Sequence, residues 1–364
     1  MPATNPPLQA STIPEFKVDG QVQPNLARDI ALLQIEEDVH GLKRLHASFV
    51  AIGPRDQERN EQLNWLDGRV LDFGKSITIS MGPVDARETL FEGKVSALEL
   101  NMEQGRSPEV MCFAEDALMD LRMTRRFKTY ENASESDLVQ QIASQHGLRA
   151  QADIQSPSWA LVQQWNQSDL AFLRERARRF AAEVWVADGA LHMATRDQRH
   201  GSQVTLIQGS SLMQVRLRAD LAHQRSKVVV GGFDDDQQDA IDEDAGAETI
   251  AAEAQGQTDG AQVLARAFGE RPSYRVREVP LQSAQATAMA KAALLARGRR
   301  FVAVSGVADG NTAMRVGTLL RLERVSPVFE GDGYYVTRVR HQFGARDGYR
   351  TQFEAERAWI GSGA

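Results

Sequence analysis

The chain has 364 residues, 42% of them hydrophobic and 25% charged, a balance that fits a folded globular protein of roughly two to four domains. Its formal net charge of −7 argues against a nucleic-acid binder, which carries a basic surplus or stripe. No stretch approaches the ~20 apolar residues of a membrane helix, and residues 1–21 lack the basic start and apolar core of a secretory signal. Assembly in the cytoplasm is the resulting expectation.

Residues 14–102 read as mainly β. In "LHASFVAIG", Leu45, Ala47, Phe49 and Ala51 alternate onto one face. "GKSITISMG" places Ile77 and Ile79 on one face between Gly74 and Gly82. "LFEGKVSALELNM" alternates Phe91, Val95, Ala97 and Glu99 around Gly93. "VDG" at 18–20 and "LDG" at 66–68 are turn signals. Short, regularly spaced strands of this kind point to a barrel or a sandwich.

The character changes over 103–200. "SPEVMCFAEDALMDLRM" mixes a strand with a short helix, and "SESDLVQQIASQHGL" is a helix with marked ends. Ser134 or Ser136 caps its start, Leu138, Ile142 and Ala143 form its stripe, and Gly147 stops it. The next helix has Asn166 or Ser168 as cap and Asp169 in its first turn. Leu170, Leu173, Ala177 and Phe180 recur at three- and four-residue steps and are expected to face a core. Arg174, Arg176, Arg178 and Arg179 mostly avoid that stripe. A hairpin with Asp188-Gly189 as its turn follows.

β-character returns over 201–233. An acidic run, "DDDQQDAIDEDAGAE", spans 234–248 and leads into an alanine- and glutamine-rich stretch. A helix is expected over 284–301, then strands in "RVGTLLRLER", "GYYVTRVRHQF" and "GYRTQFEAER", the last two joined by "GARDG". The β material of 201–233 would therefore belong with that of 302–360, with an insertion between them.

Chemistry is hard to find along this chain. Cys112 is the single cysteine, so neither an internal disulfide nor a cysteine-based zinc site can form, and its apolar neighbours mark a buried, inert thiol. Among His40, His46, His146, His192, His200, His223 and His341 no pair has short metal-ligand spacing; His192 and His200 read as surface or packed side chains. "GRVLDFGKS" at 68–76 separates its glycines by five residues where a phosphate loop needs four, and no helix follows. The acidic run lacks the spacing and the glycine of a calcium loop and reads as a solvated or disordered segment. "RERARR" at 174–179 reads as a solvated face or as an interface to an acidic partner, since arginine pairs bidentately with carboxylates. Arg174, Arg176, Arg178 and Arg179 are the candidate partner or subunit interface. No catalytic residue, cofactor or metal is expected.

Taken in order, "FEGKVSALEL", "EVMCFAEDALMDLRMTRRFKTYENASESDLVQQIASQHGL", "WNQSDLAFLRERARRFAAEVWVADGALHM" and "YYVTRVRHQFGARDGYRTQFEAERAW" resemble the phage late control protein D family, the central hubs of contractile tails. They are similar also to the hub half of VgrG-type spike proteins. The resemblance implies an α+β, mainly β chain. It would have an N-terminal extension (1–13), a first tube-type β-barrel domain (14–102), an α+β middle domain (103–200) and a second barrel domain (201–245 and 300–364), with 246–299 inserted. It implies a homotrimer with pseudo-sixfold symmetry, a virion or injection-particle component that adapts a hexameric inner tube to a trimeric spike and contacts other baseplate proteins. Since VgrG-type chains run on past the last hub strand and this one stops at "ERAWIGSGA", the spike is expected to be a separate polypeptide. Two other functions compete: a tail-associated cell-wall hydrolase and a glycan-binding baseplate protein.

Overall fold

The computed structural model describes residues 13–51, 63–199, 201–277, 280, 282–344 and 346–361. It is mainly β with a few helices, the α+β class expected. The chain divides into two compact units. The first comprises 1–120, 307–316 and 338–353, and the second 121–306, 317–337 and 354–364. Almost all of the expected N-terminal extension lies outside the described residues, as does His200.

In the first unit the strands pair antiparallel. Residues 338–344 lie beside Ile30–Asp38, followed by Arg44–Val50, Glu109–Glu115, Glu88–Asn101, Ser76–Met81, Glu15–Val18 and Gln21–Val22. The alternation in 45–51 does what it promised: Leu45, Ala47, Phe49 and Ala51 are all buried, as are Ile77 and Ile79. Phe16 meets Phe49 edge-on at 5.4 Å between ring centroids. Their strands stand four places apart in the order, about 19 Å at the usual spacing of a flat sheet. The sheet therefore curls until its two ends share one core, which also takes Leu26, Trp65 and Leu71.

The expected alternation of Phe91, Val95, Ala97 and Glu99 breaks after Val95. Phe91 and Val95 are buried, but Ala97 is exposed, because a bulge between Val95 and Ala97 shifts the register against Glu109–Glu115. One extra residue moves everything after it to the other face. Gly93 is required nearby, since a Cβ there would lie 2.2 Å from the Glu115 carbonyl oxygen.

In the second unit a two-stranded ribbon, Arg125–Ala133 with Trp159–Ser168, packs against helices Glu135–Gln145 and Asp169–Arg178. The hairpin Ala182–Ala187/Ala190–Thr195 turns through Asp188 (φ 49°) and Gly189 (φ 69°), the two positive φ values of a type I′ turn. Strand Arg149–Asp153 adds to it in parallel.

Two expectations about the segment after residue 226 are corrected. The acidic run is no solvated loop: Lys227–Asp234 pairs with Asp239–Ala245 as a hairpin. Within the run, Ile241 and Ala245 alternate inward while Asp242 and Asp244 face out, and Glu243, on the inward parity, accepts from Thr287 Oγ1 of helix Ser283–Gly298 at 3.2 Å. Nor does Lys227–Asp234 join the strands after 302. It forms a three-stranded sheet with Asp239–Ala245 and Pro272–Arg275. That sheet packs Val228, Val230 and Ile241 on Ala286, Ala290 and Leu294 of helix Ser283–Gly298. Strand Gln203–Ile207 pairs instead with Leu319–Glu323.

Candidate partner interface

The arginine helix starts where Ser168 Oγ accepts the Ala171 N–H at 3.2 Å. Its first-turn carboxylate, Asp169, is wholly buried yet fully engaged. It accepts from Arg126 Nε at 3.0 Å, Gln164 Nε2 at 2.9 Å and contacts His146 Nε2 at 2.8 Å. Tyr130 donates to Gln164 at 3.0 Å. Burial, reinforced by the Asp169 charge, pushes the Tyr130 phenol up to about 12, which keeps that donor protonated.

The four candidate arginines separate. Arg178 is exposed, Arg174 and Arg179 are half-buried, and Arg176 is buried. Arg179 donates to Glu175 at 3.3 Å, one turn back; burial, with Arg176 close by, holds its pKa below the ordinary value. Arg176 forks onto Glu135 of the preceding helix, with Nε to Oε2 at 3.0 Å and Nη2 to Oε1. Trp159 Nε1 donates to the same carboxylate at 2.9 Å, and the guanidinium lies 5.1 Å from the Trp159 ring centroid. Arg176 thus shares the inward stripe with Leu170, Phe172, Leu173 and Ala177. Phe180 is only half-buried, because the helix ends at Arg178 and the chain leaves its 3.6-residue register at Ala181 (φ 53°).

The hairpin anchors a second buried network. Trp185 stacks on His192 at 4.8 Å, and Arg199 lies over the Trp185 ring at 4.3 Å. Glu183 accepts from Arg199 at 2.9 Å, Arg196 at 3.1 Å and Tyr335 Oη at 2.7 Å. Arg196 also reaches Glu356 at 2.6 Å. Burial alone would raise the Glu183 carboxyl, but Arg199, Arg196 and Tyr335 outweigh it and hold its pKa down. Sequence reasoning missed Glu135, Glu183, Tyr335 and Glu356. Each pairs with a residue far along the chain, and no local spacing signals such a contact.

Other sequence features are accounted for by packing. Lys75 of "GRVLDFGKS" donates to the carbonyls of Gly68, Arg69 and Val70 at 3.0, 2.7 and 3.3 Å, so it ties down its own loop. Cys112 is buried, and burial pushes its thiol up to about 12, the inert form expected of a packed cysteine. His341 is buried, with its Nδ1 hydrogen-bonded to Tyr349 Oη at 2.7 Å. Among the described residues no three His, Cys, Asp or Glu side chains are grouped to hold a metal ion, and no helix is long and apolar enough to cross a membrane.

This frame of a curled sheet, ribbon, helix pair and hairpin recurs in solved structures. The 43 kDa tail protein of prophage MuSo2 from Shewanella oneidensis is 12% identical with a TM-score of 0.70, over 96% of this chain and 99% of that one. The Escherichia coli c3393 protein, a component of the type VI secretion system, is 11% identical with a TM-score of 0.56, over 94% of this chain and 76% of that one. A chain of the Francisella PdpA–VgrG complex is 10% identical with a TM-score of 0.51, over 96% of this chain and 58% of that one. What is shared at such identity is the fold, and it bears out the resemblance to late control protein D and VgrG-type hubs. No curated protein matches the sequence. The model of the Alg8 N-terminal domain family matches residues 15–344, and the chain belongs to that family.

Proposed function

We propose that the chain is the structural hub of a contractile tail or related injection system. In this reading three copies form a pseudo-sixfold ring from two tube-type barrel domains each. The ring accepts a hexameric inner tube on one side and a trimeric spike on the other, and the chain makes no covalent chemistry. The observation that carries the reading is end-to-end likeness to a phage tail protein, 96% of one chain on 99% of the other. The 5.4 Å contact between Phe16 and Phe49, on strands four places apart in the sheet order, supports barrel closure in the first unit. The division drawn from the sequence, a first barrel at 14–102 and a second at 201–245 plus 300–364, enters this proposal without 227–245, whose strands form their own sheet with Pro272–Arg275. The described segments that cluster with the first barrel region also include 307–316 and 338–353.

The polar groups of the second unit favour scaffolding. Asp169, Glu135 and Glu183 are each saturated by arginine, amide or aromatic donors, so none is poised to abstract a proton from a substrate. Of the candidate arginines, exposed Arg178 is the one placed to meet a partner, while Arg176 holds the helix pair together.

Single-particle imaging of the full chain, alone and with its cognate tube protein, tests the proposal. A threefold ring with six barrel-like lobes around a channel is the expected view. A monomer that forms no ring even on added tube would overturn it.

A further inference from the structure

Two exposed apolar faces on the second unit are unexplained by its own packing. The first is the outer face of the ribbon. Trp165 stands directly across from Phe127, and these rings are 69% and 79% exposed. Leu161 continues the patch on the same strand, and exposed Met123 precedes the ribbon in sequence. Arg125 shares the Phe127 face by strand alternation and donates to Asn166 at 3.1 Å; exposed Arg122 precedes it, and Glu131 is the carboxylate at the far end. A two-stranded ribbon buries only one side, so its aromatic side remains in water.

The second face belongs to the small sheet of Lys227–Asp234, Asp239–Ala245 and Pro272–Arg275. Its inner side is filled by helix Ser283–Gly298. On its outer side Tyr274 pairs with Val229, and Val229 pairs with Asp244. Tyr274 and Val276 are 70% and 72% exposed, and Phe233 extends the patch. Lys227 is paired with Asp244. Asp242 shares this outer face with Asp244, Asp235 and Asp236 lie in the turn at its end, and Glu270, Arg271 and Arg277 flank strand Pro272–Arg275.

A closed ring of three identical copies requires head-to-tail contact between two different surfaces. The two faces described here are both aromatic, as interface cores are. One has arginines on its rim, the other aspartates. We infer that the Phe127–Trp165 ribbon of one copy docks on the Tyr274–Val276 sheet face of the next, with Arg122 and Arg125 opposite the aspartates of the Asp239–Ala245 strand. The inference rests on the trimeric reading and assigns its contact surfaces; tube and spike proteins are the competing occupants.

Sedimentation of the full chain tests it with two surface variants, Phe127→Asp/Trp165→Asp and Tyr274→Asp/Val276→Asp. Wild type is expected to be trimeric. Each variant alone should be monomeric at about ten times the wild-type midpoint concentration, since central aromatic anchors dominate interface affinity. Their equimolar mixture should give dimers and no trimers, because one intact ribbon and one intact sheet face remain. Arg125→Glu should weaken assembly about tenfold and Asp242→Arg in the same chain should restore it. Circular dichroism matching wild type confirms that each variant is folded. Should one fail to fold, a chain carrying both Trp165→Cys and Tyr274→Cys should oxidise to linked trimers while each single variant stays unlinked; Cys112 is buried and does not compete. Trimers persisting in either surface variant would overturn the inference and leave the hub proposal standing. A mixture that stays monomeric, or a wild-type monomer, would assign these faces to another partner and overturn it; ring formation on added tube then judges the hub reading separately.

Discussion

Truncating Arg176 to alanine should destabilise the second unit far more than a surface arginine would. Arg176 and Glu135 are 6% and 0% exposed, and the fork between them sits against Trp159. Removing the guanidinium leaves a carboxylate in the interior with the Trp159 N–H as its remaining side-chain donor. Breaking a buried ion pair from one side costs about 3–5 kcal/mol, against the roughly 0–1 kcal/mol of an exposed pair. That is a large part of the ~5–15 kcal/mol that holds a domain folded. Adding Glu135→Gln should recover part of the loss, since the orphaned charge is what costs most. Urea unfolding followed by circular dichroism, compared at unchanged m-value, measures both variants. A loss below about 1 kcal/mol for Arg176→Ala, or a partner-binding defect with unchanged stability, would refute the reasoning and return Arg176 to the interface.

Arg178→Ala should shift stability by less than about 0.5 kcal/mol, as an exposed side chain does; a loss above 1 kcal/mol in the same titration would count against its free position. His341 carries a pH dependence. Burial, with Arg315 and Lys43 nearby, lowers its pKa to about 3 from the ordinary 6.5. The native imidazole stays neutral while the unfolded one takes a proton, so stability is present above pH 6.5 and is lost as pH falls toward 3. His341→Gln should flatten that acid limb in unfolding measured from pH 7 to 4; an unchanged slope would refute it. Arg357 lies between Tyr334 and Trp359 at 4.2 and 3.8 Å and donates to the carbonyls of Trp359, Glu330, Asp332 and Val328. Lysine cannot reproduce that planar set of donors, so Arg357→Lys should cost roughly 2–3 kcal/mol; thermal unfolding indistinguishable from wild type would exclude it.

Local rules carried the elements and failed at long range. Alternation placed Leu45, Ala47, Phe49, Ile77 and Ile79 inward because a pleated strand allows no other arrangement once one face is wet. Asp188-Gly189 was legible because a type I′ turn needs two positive φ values, which Asp and Gly tolerate. The Glu135–Gln145 cap was legible as well: Ser134 Oγ accepts the Asp137 N–H at 3.2 Å and Asp137 accepts the Ser134 N–H at 2.9 Å. Ala97 was misplaced because nothing in "KVSALEL" announces a bulge. The acidic run hides its strand because charge dominates its composition, although Ile241 and Ala245 stand four apart on the inner face.

The arginine helix failed for a deeper reason. A periodicity argument sorts residues by hydrophobicity, and Arg176 sits at an inward position of that period. Its inward place depends on a carboxylate 41 residues away and an indole that caps it. The Glu183–Tyr335 bond spans 152 residues and has the same character. A buried charge is tolerable only with its partner in place, so the sequence around one partner holds half of the information. Such pairs can fix which helix and strand faces meet, and Arg176 with Glu135 does so for the two helices of the second unit. A role in register, separate from stability, predicts that Arg176→Met with Glu135→Leu would fold with near wild-type stability but lose the specific helix pairing. Broadened side-chain resonances around Trp159 would reveal that loss; a sharp, native-like spectrum in the double variant would show that packing alone sets the pairing.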